Sequence, residues 1–228
     1  MKLRHVFLFL AAAMLVAAGC GSDSKDDKSS DKKMSKADKA MAKDQENKDK
    51  NVKAAQKTFD KAKDDVDACR NLAMAWIAKA SPASSSDPKE PAKLPEDRDK
   101  SLGKAVDTLE GCVKIDAKNR DVKQMLASTY MATNDYDKAT PLLESLAKTA
   151  KAPEKPNAYY AWGLAASNAQ DYDAAISAWT KFVAIAPKKD PRIDQVKQSI
   201  KALRAAKKAP STAASGDASK DSAASSDK

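Results

Sequence analysis

Histidine is almost absent from this chain: its 228 residues contain one, His5, close to the N-terminus. Serine and cysteine hydrolases as they are usually built need a histidine base, and many zinc sites use histidine ligands. The three cysteines, Cys20, Cys69 and Cys112, are too few for an all-cysteine zinc site. We therefore expect no catalytic site of these kinds, no metal and no diffusible cofactor.

Long hydrophobic runs are missing beyond the N-terminus. There, residues 1–5 are basic and residues 6–18 are uninterrupted apolar residues. A transmembrane helix needs about 20 apolar residues, and this run is shorter. A basic start, a short apolar core and small residues at its end are typical of a secretory signal peptide. We predict a signal peptide at 1–19 and a mature protein that works outside the cytoplasm.

The apolar run ends in the sequence Leu15-Val16-Ala17-Ala18-Gly19-Cys20. This resembles the lipobox of bacterial lipoproteins, in which an aliphatic residue and two small residues precede a cysteine. The resemblance implies a covalent lipid on Cys20, which would hold the chain at the cell membrane or an outer membrane. Ala17 departs from the pattern, since leucine is commonest there. The other interpretation is an ordinary signal peptide followed by an incidental cysteine.

Two segments have few of the larger apolar residues that a core needs, only Met34 and Met41 in the first and none in the second. Residues 20–50 and 209–228 consist mainly of Lys, Asp, Ser and Ala. Segments of this composition bury too little apolar surface to offset the entropy that a chain loses on folding. We predict a flexible tether at 20–50, a folded domain at 51–208 and a disordered tail at 209–228.

Glycine is scarce within residues 51–208, and apolar residues recur three and four positions apart. This spacing is typical of amphipathic helices. The domain also repeats itself, since the stretch Asn134-Asp135-Tyr136-Asp137-Lys138-Ala139 is followed by the similar Gln170-Asp171-Tyr172-Asp173-Ala174-Ala175. Each stretch follows one apolar helix and opens another, which indicates a helical repeat fold.

The repeat resembles the tetratricopeptide repeat (TPR), a helix–turn–helix unit of about 34 residues. The resemblance implies an all-α fold: a short TPR solenoid of about three units with capping helices and disordered tails. Small residues let the two helices of a unit approach closely, and large residues fill the spaces between units. The residues that match the family's core positions are Leu72, Ala73, Trp76, Ala105, Leu109, Leu126, Ala127, Tyr130, Ala139, Trp162, Gly163, Ala175, Trp179 and Pro187.

The first unit is interrupted, and both ends of the domain need covers. Four prolines lie in an insertion at 81–100, which we predict to be a disordered or loosely held loop. A helix near 51–65 would cover the first unit. A helix at 190–208 would cap the last one, because Asp190-Pro191 is a helix-start signal.

Cys69 and Cys112 are expected at the facing ends of the two antiparallel helices of the first unit. Outside the cytoplasm such a pair invites a disulfide, which would join the helices that the insertion separates. The other interpretation is two buried thiols, because free cysteine packs as a small hydrophobic residue.

In the TPR family the first helices of the units line a concave groove. By helical phase, nine residues of this chain would face it: Arg70, Met74, Ile77, Gln124, Ser128, Met131, Tyr160, Leu164 and Asn168. Such a mixed apolar and polar surface suits an extended peptide or a helix of a partner protein. The other interpretation is that these residues only face solvent or lie under the cap.

The two resemblances together imply a membrane-anchored, extracytoplasmic adaptor or scaffold protein, and lipoproteins that resemble this one often support assembly of the cell envelope. An enzyme is not expected, because acid pairs such as Asp64-Asp65 and Glu96-Asp97 sit on polar segments. Two alternatives stay open. The chain could be a structural spacer, or the basic segment 188–208 could contact anionic lipid or wall polymer. A nucleic-acid partner is not expected outside the cell.

Overall fold

The computed structural model describes residues 36–82 and 93–208, and within these ranges it contains eight helices and no strand. The helices are α1 (Lys36–Lys61), α2 (Val66–Ala80), α3 (Arg98–Ile115), α4 (Arg120–Ala132), α5 (Tyr136–Thr149), α6 (Lys155–Asn168), α7 (Tyr172–Ile185) and α8 (Ile193–Lys208). The predicted all-α fold is confirmed.

Each helix packs against the next along the chain. The helices α2 and α3 form copy one of the repeat, α4 and α5 form copy two, and α6 and α7 form copy three. The helix α1 precedes copy one and α8 follows copy three. The described residues therefore form three helix–turn–helix units with one further helix at each end.

The predicted repeat residues form the core, with two exceptions. Twelve of the fourteen are buried: Leu72, Ala73, Ala105, Leu109, Leu126, Ala127, Tyr130, Ala139, Trp162, Gly163, Ala175 and Trp179. Trp76 is only half-buried, and the Lys79 ammonium lies 5.8 Å from the centroid of its ring. Pro187 is exposed in the turn that follows α7. Its missing N–H and fixed φ suit the place where a helix has ended, and neither property requires burial.

Gly163 shows why the family needs a small residue in the first helix. A Cβ atom at this position would lie 2.2 Å from Cδ1 of Trp179, which is closer than any side chain allows. The indole of Trp179 thus packs directly on the backbone of α6. Its Nε1 donates a hydrogen bond to the carbonyl of Tyr160 at 3.3 Å. The close approach and the hydrogen bond together fix α7 against α6.

The two repeated Asp-Tyr stretches form matching turns. Asn134 and Gln170 both adopt positive φ, 63° and 62°. This lets the amide of Asp135 reach the carbonyl of Tyr130 at 2.8 Å, and the amide of Asp171 reach that of Ala166 at 2.9 Å. These are the left-handed C-caps that commonly end helices. The sequence similarity therefore reflects one turn geometry used twice.

The expected domain start at residue 51 and tether end at residue 50 need correction, because α1 begins at Lys36. Residues 36–50 are helical although their composition is polar. Ion pairs one turn apart support them, Lys48 with Asp44 at 2.9 Å and Lys50 with Glu46 at 2.7 Å. The neighbouring Lys50 lowers the pKa of Glu46. The helix that covers copy one therefore spans 36–61, not 51–65.

Contacts with copy one also hold residues 36–50 of α1 in place. Lys48 Nζ donates to the carbonyl of Ser81 at 2.9 Å. The ammonium of Lys79 lies between Asp49 and Asp97, at 2.6 Å and 2.9 Å from their carboxylate oxygens. Hydrogen bonds to these two carboxylates raise the pKa of Lys79. One half-buried cation thus joins α1, α2 and the residue before α3.

Other boundaries differ slightly from those expected. The insertion ends before Arg98, where α3 begins, rather than at residue 100, and its residues 83–92 lie outside the described ranges. The cap helix α8 starts at Ile193 rather than 190, because Asp190 accepts the amide of Arg192 in a turn before the helix. The signal peptide, Cys20, the first part of the tether and the tail at 209–228 also lie outside the described ranges.

Candidate functional site

Four of the nine predicted groove residues, two from α2 and two from α4, line one cavity of about 750 Å³. We call this cavity the central groove. Its lining consists of Met74, Ile77, Ala78, Leu102, Asp121, Gln124, Met125, Ser128, Thr129, Ala132 and Glu154. The side chains come from the first helices of copies one and two, the start of α3 and the turn before α6. The groove therefore lies between two repeats, where the family resemblance places it.

The central groove has an apolar floor and an acidic edge. Met74 is 50% exposed and adds apolar surface to the lining. Ile77 and Met125 are half-buried beside it. Asp121 and Glu154 are the charged lining residues, and Arg120 lies 3.7 Å from Glu154. This arrangement favours a ligand with a bulky apolar side chain next to a basic group.

Four other predicted groove residues lie outside this cavity. Arg70 is half-buried and paired with Asp67 at 2.9 Å. Met131 packs partly buried against the core. Leu164 is 38% exposed on α6, and the side-chain amide of Asn168 donates to its backbone carbonyl at 2.8 Å. The structure thus does not unite all nine residues in one site.

The prediction that Tyr160 faces an open groove is wrong. Its ring lies 5.4 Å from that of Phe182, and the guanidinium of Arg192 sits 4.7 Å from its centroid. Arg192 is held there by Asp190 at 2.6 Å and by the side-chain oxygen of Asn157 at 2.8 Å. Its hydrogen bonds lower the pKa of Asp190 to about 2. Tyr160 is therefore covered by the turn that leads into α8.

Sequence reasoning missed several lining residues of the central groove. Leu102 belongs to the second helix of copy one, and Glu154 to a turn. Helical phase along the first helices predicts neither Leu102 nor Glu154, because neither residue belongs to a first helix. Met125 lies one position after the predicted Gln124, which turns it about 100° around α4. A wider angular window around each first helix would have found Met125, but only the fold brings Glu154 to the groove.

Cys69 and Cys112 are joined by a disulfide, with their Cα atoms 5.6 Å apart. Both side chains are fully buried, one near the start of α2 and the other near the end of α3. This is the pairing expected at the facing ends of an antiparallel helix pair. The bond therefore belongs to the scaffold and does not line the central groove.

One residue of each acid pair has a structural role. Asp65 caps α2 by accepting the amides of Asp67 and Ala68 at 2.7 Å and 3.1 Å. Asp97 pairs with Lys79. In the parts of the chain that the structure describes, no three His, Cys, Asp or Glu side chains are grouped to hold a metal. None of the helices described combines the length and apolarity needed to cross a membrane.

Comparison with known proteins agrees with this architecture. A family profile described as the tetratricopeptide repeat matches residues 98–160, from the start of α3 into α6. This stretch therefore matches the TPR family, and the helices around it have the fold of a short TPR solenoid. The matched range covers all of copy two, together with α3 and the first part of α6. The TPR fold therefore accounts for the central groove between first helices.

Solved structures of MamA proteins share the fold. MamA MSR-1 is 19% identical over 75% of this chain and 83% of its own, with a TM-score of 0.51. MamA AMB-1 is 20% identical over 75% and 86%, with a TM-score of 0.52. A double mutant of MamA RS-1 is 16% identical over 77% and 88%, with a TM-score of 0.51. A comparison with curated protein sequences finds no match. At these identities the likeness concerns the fold alone.

Proposed function

We propose that this protein is a membrane-anchored, extracytoplasmic adaptor whose central groove binds a segment of a partner protein. The main support for this proposal is the groove itself. It is a cavity of about 750 Å³ between copies one and two, and it leaves Met74 half exposed. TPR domains are protein-interaction scaffolds, and the repeat arrangement supplies such a groove without further elements. Nothing in the described part of the chain marks a competing catalytic centre.

The groove's chemistry narrows the kind of segment that fits. Methionine side chains are flexible and polarisable, so Met74 and Met125 can adapt to apolar side chains of different shapes. Gln124 and Ser128 are exposed at the same surface and can hydrogen-bond to a peptide backbone. Asp121 adds a negative charge at the edge. We propose an extended or helical peptide with an apolar anchor and a neighbouring lysine or arginine.

The membrane anchor rests on the N-terminal sequence. The basic start, the short apolar run and the cysteine at position 20 support a lipid on Cys20. A clickable fatty-acid analogue fed to cells that express the full chain should label the protein, and Cys20→Ala should abolish the label and release the protein from membranes. Labelling that survives the Cys20→Ala change would contradict the anchor.

Crosslinking in the native cells tests the groove. We expect the wild-type chain to give a discrete partner, and expect Met74→Glu combined with Ser128→Glu to lose it, because a carboxylate in place of the Met74 side chain would have to lose its water against the apolar anchor of the partner. Ile185→Glu is the matched control, since Ile185 is 42% exposed but lies outside the groove.

The outcome also separates the adaptor from its alternatives. A partner lost only in the groove variant would support the adaptor, and its identity would show whether the pathway is envelope assembly. A partner that survives in the groove variant would contradict binding in the central groove. No partner at all would favour a spacer, or a protein whose basic C-terminal segment contacts lipid or wall polymer.

A further inference from the structure

The helices α7 and α8 leave a second groove at the C-terminal end of the described domain. Its volume is about 500 Å³, and we call it the terminal groove. Thr180 and Val183 of α7 form one side of it. Its other side is formed by α8, mainly through Lys197, Ile200, Lys201 and Arg204. None of these residues belongs to the central groove.

The position of α8 in the solenoid is that of a first helix without a second. Each earlier first helix, α2, α4 and α6, is followed by a helix that packs on it. Counted from Pro153 and from Pro187, the apolar residues of α6 and α8 have the same spacings: Tyr159, Trp162 and Ala166 in α6, and Ile193, Val196 and Ile200 in α8. The helix α8 therefore continues the phase of the repeat, and the terminal groove lies beside the face that a second helix would cover.

One residue changes what this face can accept. By the same count, Lys197 stands in α8 where Gly163 stands in α6. Trp179 packs on the bare backbone at Gly163, but the exposed side chain of Lys197 occupies the corresponding place and lines the groove. A helix lying on α8 must leave room for that lysine. A carboxylate opposite Lys197 suits the position, whereas close apolar packing does not.

All the charged residues that line the terminal groove are cationic. Lys197 Nζ lies 3.9 Å from Asp194, a long and exposed contact. Lys201 and Arg204 are exposed and make no ion pair with any residue that the structure describes. Between these cations, Val183 and Ile200 supply apolar surface. An apolar floor flanked by cations matches a ligand with apolar side chains flanked by acids.

We propose that the terminal groove binds an acidic amphipathic helix of a partner protein, which lies on α8 in the place of the second helix of a fourth repeat. The concave shape favours such a helix over a membrane surface, because its apolar side chains can enter the space between α7 and α8. This surface is separate from the central groove, so the protein would offer two docking sites of opposite charge.

Binding of a designed peptide to the full chain in mild detergent tests the proposal. The probe is a fluorescein-labelled helical peptide of 14 residues, the length of α7, with leucines three and four apart and glutamates beside them. The control peptide carries lysine in place of every glutamate. Fluorescence anisotropy at low salt should show binding of the acidic peptide and at least tenfold weaker binding of the basic one.

Protein variants then locate the binding site. Lys201→Glu combined with Arg204→Glu should weaken binding of the acidic peptide at least tenfold. Lys53→Glu combined with Lys57→Glu, a matched charge reversal on exposed positions of α1, should leave it within twofold. Met74→Glu should also leave binding of the acidic peptide unchanged, because Met74 lines the central groove and not the terminal groove. The two proposed binding sites can therefore be disproved independently.

Three results would overturn the proposal. The first is that the acidic peptide binds no better than the basic one or does not bind at all. The second is that the Lys201 and Arg204 reversal has no effect on binding of the acidic peptide. The third is that vesicles containing phosphatidylglycerol bind the full chain through Lys201 and Arg204 while the peptide does not. That result would assign the surface to anionic lipid.

Discussion

Copies one and three build the same helix pair by different means. In copy three a short turn connects α6 to α7, and Trp179 packs on the bare backbone of Gly163. In copy one the two helices are separated by a long insertion, and a disulfide joins Cys69 to Cys112 instead. The helices of copy one are thus held by a covalent bond in addition to their packing, whereas those of copy three rely on noncovalent packing alone. The comparison predicts which change should weaken which copy.

The largest effect is expected from removing the disulfide. The bond closes a loop with a sequence separation of 43, and chain-entropy reasoning gives a loop of this size about 3–4 kcal/mol. Replacing both cysteines with serine should lower the free energy of unfolding by about that amount in denaturant titrations. It should also lower hydrogen-exchange protection in α2 and α3 more than in α6 and α7.

Reduction of the wild-type chain provides the control, because it removes the bond without changing a residue. A loss of protection of equal size in copies one and three would show that the insertion does not make copy one the weaker unit. An unchanged denaturation midpoint would show that Cys69 and Cys112 contribute to stability only as buried apolar residues.

The second effect concerns copy three. Gly163→Ala would place a Cβ atom 2.2 Å from the Trp179 ring, so the ring or the helix that carries it must shift. Overpacking of this kind costs about 1–3 kcal/mol. Gly111→Ala in α3 is the matched control, since a Cβ atom there meets nothing within 4 Å. The control should gain up to about 1 kcal/mol from helix propensity.

If Gly163→Ala proved as harmless as Gly111→Ala, the close approach of α7 to α6 would not be what holds copy three together. The midpoint of denaturant-induced unfolding, followed by tryptophan fluorescence, is well suited to this test because Trp179 itself lies at the contact.

The sequence predicts the repeat well because its core positions are set by helical period. Ala127, Gly163 and Ala175 are small where two helices must approach, and that requirement can be read without a structure. The start of α1 could not be read in the same way. Residues 36–50 have the composition of a disordered segment, and they are helical through ion pairs and through contacts with Ser81 and Lys79 far along the chain.

The candidate site is predicted less completely for a related reason. Phase within one helix identifies Met74, Ile77, Gln124 and Ser128, because a groove between first helices follows from the repeat. It does not reveal that a turn residue such as Arg192 covers Tyr160, or that Glu154 reaches the central groove. Those placements depend on how turns fold back over neighbouring helices, which periodicity does not describe.

A smaller effect should distinguish the two matching turns of copies two and three. Asp171 caps α7 by accepting the amide of Ala174 at 3.0 Å. Asp135 makes no such bond to α5 and instead accepts the hydroxyl of Thr133 at 2.9 Å. Loss of an N-cap side chain costs about 1 kcal/mol. Asp171→Ala should therefore lower the free energy of unfolding by about 1 kcal/mol, and Asp135→Ala by less. Equal losses in the two variants would mean that the capping bond is not what stabilises the start of α7.

The smallest effect depends on pH and concerns the contact between copies one and two. The hydroxyl of Tyr130 donates to Glu110 at 2.5 Å, and burial, followed by this hydrogen bond, raises the pKa of Tyr130 above its ordinary value of 10.0. A raised pKa means that the folded chain keeps a proton that the unfolded chain loses, so this stabilisation is present below pH 10 and declines as pH rises further. At neutral pH, Tyr130→Phe should be less stable by about 1 kcal/mol because the hydrogen bond is lost.

Between pH 8 and about pH 10.5 the difference between wild type and Tyr130→Phe should narrow, because only the wild type contains this titrating phenol. Tyr136→Phe is the control, since the partly exposed hydroxyl of Tyr136 bonds only to the neighbouring Asn134 side chain. Urea titrations across this range measure the effect. A difference that stays constant up to pH 10.5 would mean that Tyr130 ionises in the folded chain as readily as in the unfolded one. The contact between copies one and two would then not exclude water as its burial implies.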